Sequence, residues 1–137
     1  MNIIGTGIDI VQVSRIQAWI DQGVTLEKVF SAKELADCTH QGALQAQRLA
    51  ARFATKEAFF KALSAALVHM GATEHQFGIG FVCANTQVVS GEWDVPVLQV
   101  NWDAWEERFG EPLPPFAVQI SLSHEKEYAV ATVLVGD

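Results

Sequence analysis

A chain of 137 residues and 15.0 kDa has room for one compact domain and not for two ordinary ones, and with half its residues hydrophobic and 18% charged it is not a disordered chain. Sixteen acids against 9 Lys and Arg give a net charge of -7 and a pI near 5.0, which excludes a surface that coats nucleic acid or anionic membrane by overall charge. No apolar run approaches the about 18 to 20 residues of a membrane span, and the start MNIIGTGIDIVQV carries no basic leader or cleavage site, so a cytoplasmic protein is expected.

Along the chain, Asn2 to Val11 alternates, with Ile4, Ile8 and Ile10 on one parity and Gly5, Gly7 and Asp9 on the other. This predicts a strand with a glycine-lined face, where Asp9 projects beside two residues without side chains. Ser14 to Ile20 reads as a short helix, and Ser31-Ala32-Lys33-Glu34 has the Ser-x-x-Glu form of a capping box opening another. Cys38 and Cys83 belong to no CxxC and have no His at zinc-ligand spacing; both read as reduced thiols in or near the core, with neither a disulfide nor a structural metal. Ala43 to His69 is rich in Ala and Leu and free of Gly and Pro, which predicts one long helix.

After a break at Gly71 to His75, Phe77–Cys83, Thr86–Val89 and Val95–Val100 read as strands. Asn101 caps a predicted helix, Trp102 to Phe109, which stops at Gly110. Two further strands, Phe116–His124 and Glu127–Val135, are joined by a tight link. The last is apolar or small on both parities, so it is expected to be buried on both faces, centrally or against another subunit. The fragments GTG at 5–7 and GIG at 78–80 do not extend to a dinucleotide or Walker loop and read as turn or close-approach glycines.

On the long helix, Leu49, Phe53, Phe60, Leu63 and Leu67 share a stripe that should face the core, and Lys56 falls within it. A lysine there snorkels, pairs, or meets an anionic ligand, because an unpaired core ammonium would cost several kcal/mol. A different face collects Ala50, Ala54, Glu57 and Lys61. Glu57 and Lys61 are either an exposed i,i+4 pair contributing about 0.2–0.5 kcal/mol or part of a site. Arg48, Arg52, Lys56 and Lys61, with Glu57 the one acid among them, give the window 48–61 a charge of +3; a chain at -7 then carries −10 elsewhere. That concentration suggests a helix face meeting phosphates, together with whatever faces it from Asp9 and His124, although a solvated basic face has the same composition. Asp9 is a second carboxylate that could join Glu57, a count that suits magnesium, which takes one or two protein carboxylates and fills its octahedron with water and phosphate oxygens. His124 shares parity with Phe116, Val118, Ile120 and Leu122 and could be structural or functional, while Ser121 and Ser123 fit no Ser-His-Asp arrangement.

Three segments in order, GIDIV at 7–11, RFATKEAFFKAL at 52–63 and SLSHEKEYAVATV at 121–133, resemble the holo-acyl-carrier-protein synthase family, the small 4′-phosphopantetheinyl transferases. The resemblance implies an α+β fold, an antiparallel sheet packed against one long and several short helices, spanning residues 1–137 as one domain. It implies Mg²⁺-dependent transfer of the phosphopantetheine arm of coenzyme A to a serine of an apo acyl carrier protein, releasing adenosine 3′,5′-bisphosphate. Asp9 and Glu57 match the family's magnesium ligands, with Glu57 or its bound water as the base, and Lys61 matches the lysine on the pyrophosphate. Arg52, Lys56, Lys61 and His124 are the expected coenzyme A contacts, and Arg15 falls where the carrier docks. Homotrimers with active sites between subunits are implied as well, with no nucleic acid or membrane partner.

The chain also departs from the family pattern. Ser64-Ala65-Ala66 continues the helix where the family has a Gly-Thr-Gly type loop, and Gly91 to Pro96 lacks the lysine of the usual Asn-Gly-Lys-Pro turn. Residues 13–30 carry Arg15 and Lys28 against Asp21 and Glu27, no net charge where an acidic carrier would dock. The alternative function is a coenzyme A or nucleotide-binding homologue that keeps the fold with weak catalysis. Carriers of fatty acid, polyketide and peptide synthesis all fit the sequence.

Overall fold

The computed structural model describes residues 1–39, 42 and 44–137, so Ala43, the predicted start of the long helix, lies outside the described residues. β1 (Ile3–Gln12) leads directly into α1 (Val13–Asp21), and α2 (Ala32–Thr39) precedes the 26-residue α3 (Leu44–His69). α4 (Ile79–Ala84), β2 (Thr86–Ser90), β3 (Pro96–Val100), α5 (Trp102–Phe109), β4 (Ala117–His124) and β5 (Tyr128–Gly136) complete the chain. Among the described residues all pairing is antiparallel, in one sheet of order β1-β5-β4 and one hairpin, β2-β3. Among the described residues no helix is long and apolar enough to cross a membrane.

α3 is the central element, and the sequence explains how it gets so close to the sheet. A Cβ at Gly7 would collide with the carbonyl oxygen of Ala58, and one at Gly5 with that of Ala62. Glycines on the strand and fully buried Ala58, Ala62 and Ala66 on the helix let the two backbones touch. Gly5 and Gly7 are therefore close-approach glycines, and what approaches is the chain's own helix. Gly7→Ala is expected to lower unfolding free energy by about 1–3 kcal/mol, because neither backbone can yield; a denaturant midpoint unchanged from wild type would contradict this packing. The predicted apolar stripe packs on another side of α3, so the helix is buried on most of its circumference, Ala50 and Ala54 included. There Phe59, Phe60, Phe77, Trp102 and Trp105 meet edge to face or tilted.

Two expectations change. The run Phe77–Cys83 is not a strand: from Gly78 the chain coils into α4, with the amide of Val82 donating to the Gly78 carbonyl. A short apolar run fits either conformation, and the outcome follows from Phe81 docking on Trp105, ring centroids 4.9 Å apart. β5 is central in its sheet, with Ala129, Ala131, Val133 and Val135 buried under α3, but among the described residues its other parity is only partly covered, Val130 and Leu134 being half-buried. On that outer face Thr132 is exposed, and the neighbouring Ile8 and Ile10 of β1 are 62% and 64% exposed.

The caps form as the sequence predicts. Ser31 Oγ accepts from the Glu34 amide at 3.1 Å while Glu34 Oε1 accepts from the Ser31 amide at 2.8 Å. Asn101 Oδ1 accepts from the Ala104 amide, and α5 ends at Gly110 with φ 73°, a conformation that favours glycine. In the β4-β5 link, Glu125 accepts from the amides of Glu127 and Tyr128. Both cysteines are buried and free, and burial lifts the Cys83 thiol to about 11, where it is inert.

Candidate active site

The β1-α3 seam brings Asp9 against the helix at Glu57 and Lys61. Lys61 Nζ lies 3.1 Å from Asp9 Oδ1 and donates to the Ile8 carbonyl at 3.0 Å, so its ion pair is with the strand carboxylate. Asp9 Oδ2 is buried without a partner among the described residues. The Glu57 carboxyl is held above the usual range, first by burial and then by the Asp9 charge and hydrogen bond; Arg15 and Lys61 oppose the rise. Two carboxylates facing one lysine leave negative charge and an orphaned lone pair that a divalent cation would satisfy. Among the described residues no group of three or more His, Cys, Asp and Glu gathers, so such an ion would rely on water and substrate oxygens for its remaining ligands. Arg15 stands exposed beside this pair, its guanidinium 5.3 Å and 5.2 Å from the ring centroids of Trp19 and Phe53.

A second cluster is basic. Arg48, Arg52 and His124 line a cavity of about 260 Å³ together with Leu122 and, from the β2-β3 hairpin, Val89 and Asp94. The Nε atoms of both arginines are buried without partners among the described residues. His124 Nδ1 is 2.9 Å from Gln47 Oε1; a carboxamide oxygen only accepts, so Nδ1 carries the proton. Burial, and then the charges of Arg48 and Arg52, hold the imidazole below its ordinary 6.5. Arg52 Nη1 donates to the Arg48 carbonyl at 3.4 Å, and the two unpartnered Nε groups beside a histidine that gains charge when an anion enters have the chemistry that suits a phosphate.

These clusters do not meet within one chain, which corrects the expectation of a single phosphate-binding helix face. Arg52 and Glu57 are five residues apart, about 140° around the helix. Across the sheet, Asp9 pairs with Ala131 and Ala131 with Leu122, while Val11 pairs with Ala129 and Ala129 with His124. β5 therefore separates the two, and α3 lies over it with the carboxylates on one flank and the arginines on the other.

A family model described as the 4′-phosphopantetheinyl transferase superfamily matches residues 5–133. The chain belongs to that superfamily. A holo-[acyl-carrier-protein] synthase of Treponema pallidum (strain Nichols) is 35% identical over 133 residues, 97% of this chain and 95% of the relative. Among solved structures, the ACPS-CoA complex of Chronobacterium ammoniagenes matches with a TM-score of 0.78 at 27% identity, covering 98% of this chain and 97% of that one. A holo-(acyl-carrier-protein) synthase from Bacillus anthracis in complex with CoA (3′,5′-ADP) matches with a TM-score of 0.70 at 27% identity, covering 97% and 96%. The α+β arrangement of antiparallel sheets around a long helix is the one these transferases share.

In this phosphopantetheinyl transferase Lys56 is not a ligand contact. It is fully buried, and its three N–H groups go to Glu34 Oε1 at 2.8 Å and the carbonyls of Val29 at 2.8 Å and Cys83 at 3.2 Å. The core apolar position demanded a partner, and the capping-box glutamate supplies it; Glu34 Oε2 also accepts from the Val88 amide at 2.9 Å. Sequence reasoning counted Arg48 in the basic window without giving it a ligand contact, and passed over Gln47. Arg48 was legible, since it stands one turn before Arg52 on the same face, whereas nothing local ties Gln47 to a histidine 77 positions away.

Proposed function

We propose that the protein transfers 4′-phosphopantetheine from coenzyme A to a serine of an apo acyl carrier protein, with Mg²⁺ held by Asp9 and Glu57. The observation that carries the reading is the meeting of Asp9, Glu57 and Lys61, with Asp9 Oδ2 orphaned, in a member of the superfamily. The serine oxygen forms a bond to the β-phosphorus as the bond from that phosphorus to the bridging oxygen breaks, and adenosine 3′,5′-bisphosphate leaves. Lys61 Nζ neutralises charge on the pyrophosphate, and Glu57 accepts the hydroxyl proton, directly or through a water. Bound magnesium would supply Lewis-acid stabilisation of the phosphate oxygens.

Arg48, Arg52 and His124 would hold the adenosine bisphosphate end. Because that cluster lies across α3 from the carboxylates, we assign each active site to two neighbouring subunits of a homotrimer, and the exposed Ile8 and Ile10 support contact through the outer sheet face. Arg15, exposed beside Glu57, suits docking of an acidic carrier. The names of the relatives support an acyl carrier protein as that carrier, which we assign to fatty acid synthesis, and free buried thiols support a reducing, cytoplasmic setting.

Incubation with coenzyme A, Mg²⁺ and an apo carrier should add one phosphopantetheine to the carrier by mass; binding of coenzyme A without transfer to any carrier would favour the weakly catalytic homologue. Mixing inactive Glu57→Ala with impaired Arg52→Ala subunits should restore turnover, and failure of refolded mixtures to do so would count against shared sites. His124 supplies a pH signature. The unfolded chain binds its proton more readily than the folded one, so this residue's contribution to stability is intact above pH 6.5 and is lost as the pH falls below it. Entry of a phosphate reverses that preference, so calorimetry near pH 6.5 in buffers of different ionisation enthalpy should detect proton uptake with adenosine 3′,5′-bisphosphate, absent in His124→Gln.

A further inference from the structure

We infer that a small cavity at the C-terminal end of α3 receives the pantoyl segment of coenzyme A, with Ser64 and His75 as positioning residues for the donor; the inference rests on the transferase reading above. Glu57, Lys61, Ser64 and Val68 succeed one another at steps of four, three and four, so they line one side of the helix. At the helical rise, Ser64 stands about 4.5 Å beyond Lys61 along the axis.

Beside Ser64 and Val68 lies a cavity of about 270 Å³ floored by Leu67, Val68 and Ala72 and rimmed by Ser64, Glu74 and His75. It exists because α3 runs on unbroken through Ser64 to His69. Gly71, with φ 97°, then turns the chain back along the helix, and the Ala72 amide donates to the Leu67 carbonyl at 2.9 Å. On the returning segment His75 Nε2 meets Ser64 Oγ at 3.1 Å, and the imidazole ring packs against both Phe60 and Phe77 at centroid distances of 5.1 Å and 5.0 Å, the two phenyl rings themselves meeting at 5.6 Å. A serine-histidine pair packed on two aromatic rings therefore stands at the rim of an open groove with Leu67, Val68 and Ala72 along it, one helical turn past Lys61.

The chemistry of the donor selects the occupant. With the pyrophosphate against Lys61 and the nucleotide end on the arginine cluster, the other ester of the β-phosphate must leave in a different direction. Past that ester and its methylene, the arm has a carbon bearing two methyl groups, then a hydroxyl and an amide. Methyls suit the Leu67, Val68 and Ala72 floor, and the hydroxyl and amide suit the Ser64-His75 pair at the rim.

The test compares coenzyme A with adenosine 3′,5′-bisphosphate, which lacks the arm, binding each to the Mg²⁺-loaded protein by calorimetry and measuring KM for coenzyme A and for the apo carrier in transfer. Ser64→Ala and His75→Phe, the second of which keeps the ring stack, should each weaken coenzyme A binding and raise its KM by about three- to tenfold. Bisphosphate affinity, kcat and carrier KM should stay at wild-type values. Coenzyme A affinity unchanged in both variants overturns the inference, as does an equal loss with the bisphosphate or a rise confined to the carrier KM. The binding comparison needs no turnover, so a wild-type protein that binds coenzyme A but transfers nothing would defeat the transferase reading and leave this one decided.

Discussion

Glu57→Ala is expected to lower transfer turnover by at least about a thousandfold without harming the fold, because it removes the proposed metal ligand and proton acceptor together. The fold should tolerate the change for a reason visible at the site. Glu57 faces the Asp9 carboxylate, and burial and that like charge raise its carboxyl above the usual range, so the pair repel when no cation is bound. Removing one partner relieves the repulsion. Metal-free variant and wild type should therefore melt at similar temperatures, or the variant slightly higher, and added Mg²⁺ should raise the melting temperature of the wild type alone. Full turnover in Glu57→Ala, or equal Mg²⁺ stabilisation of both proteins, would defeat the assignment of this pair.

Lys56→Met should have the largest effect on stability, about 3–5 kcal/mol in chemical denaturation, the cost of leaving one member of a buried ion pair alone. Glu34 would keep only its backbone donors from Ser31 and Val88, and the carbonyls of Val29 and Cys83 would lose theirs. Since that network ties α2, α3, α4 and β2 together, the double variant Glu34→Gln with Lys56→Met should recover part of the loss. A Lys56→Met protein within about 1 kcal/mol of wild type would show that the pair contributes little.

The parts of the site and of the core that were legible in the sequence were those set by local pattern. Asp9 showed itself by parity on a strand whose alternate positions are glycine, Glu57 and Lys61 by helical spacing, and Glu34 by the capping box. Lys56 was visible as an anomaly on an apolar stripe, but its partner lies 22 positions away on another helix, a relation that periodicity does not encode. The conformation of α4 depended on Trp105, from an element later in the chain. The division of the basic residues is a different lesson, since it was present in the numbering: Arg48 and Arg52 are one turn apart, as are Glu57 and Lys61, but the step from 52 to 57 crosses the helix. Counting charge in a linear window merged two faces that angular position keeps apart.

The seam of Gly5 and Gly7 against Ala58, Ala62 and Ala66 contains almost nothing that can rotate. Glycine and alanine have no side-chain rotamers to freeze, so docking β1 on α3 there costs backbone ordering alone. Heating populates no alternative packings at such a contact, as it would where long side chains interlock. The separation between Asp9 and Glu57 should thus hold nearly constant with temperature and then vanish with the whole fold, giving Mg²⁺ affinity a flat plateau and a sharp edge.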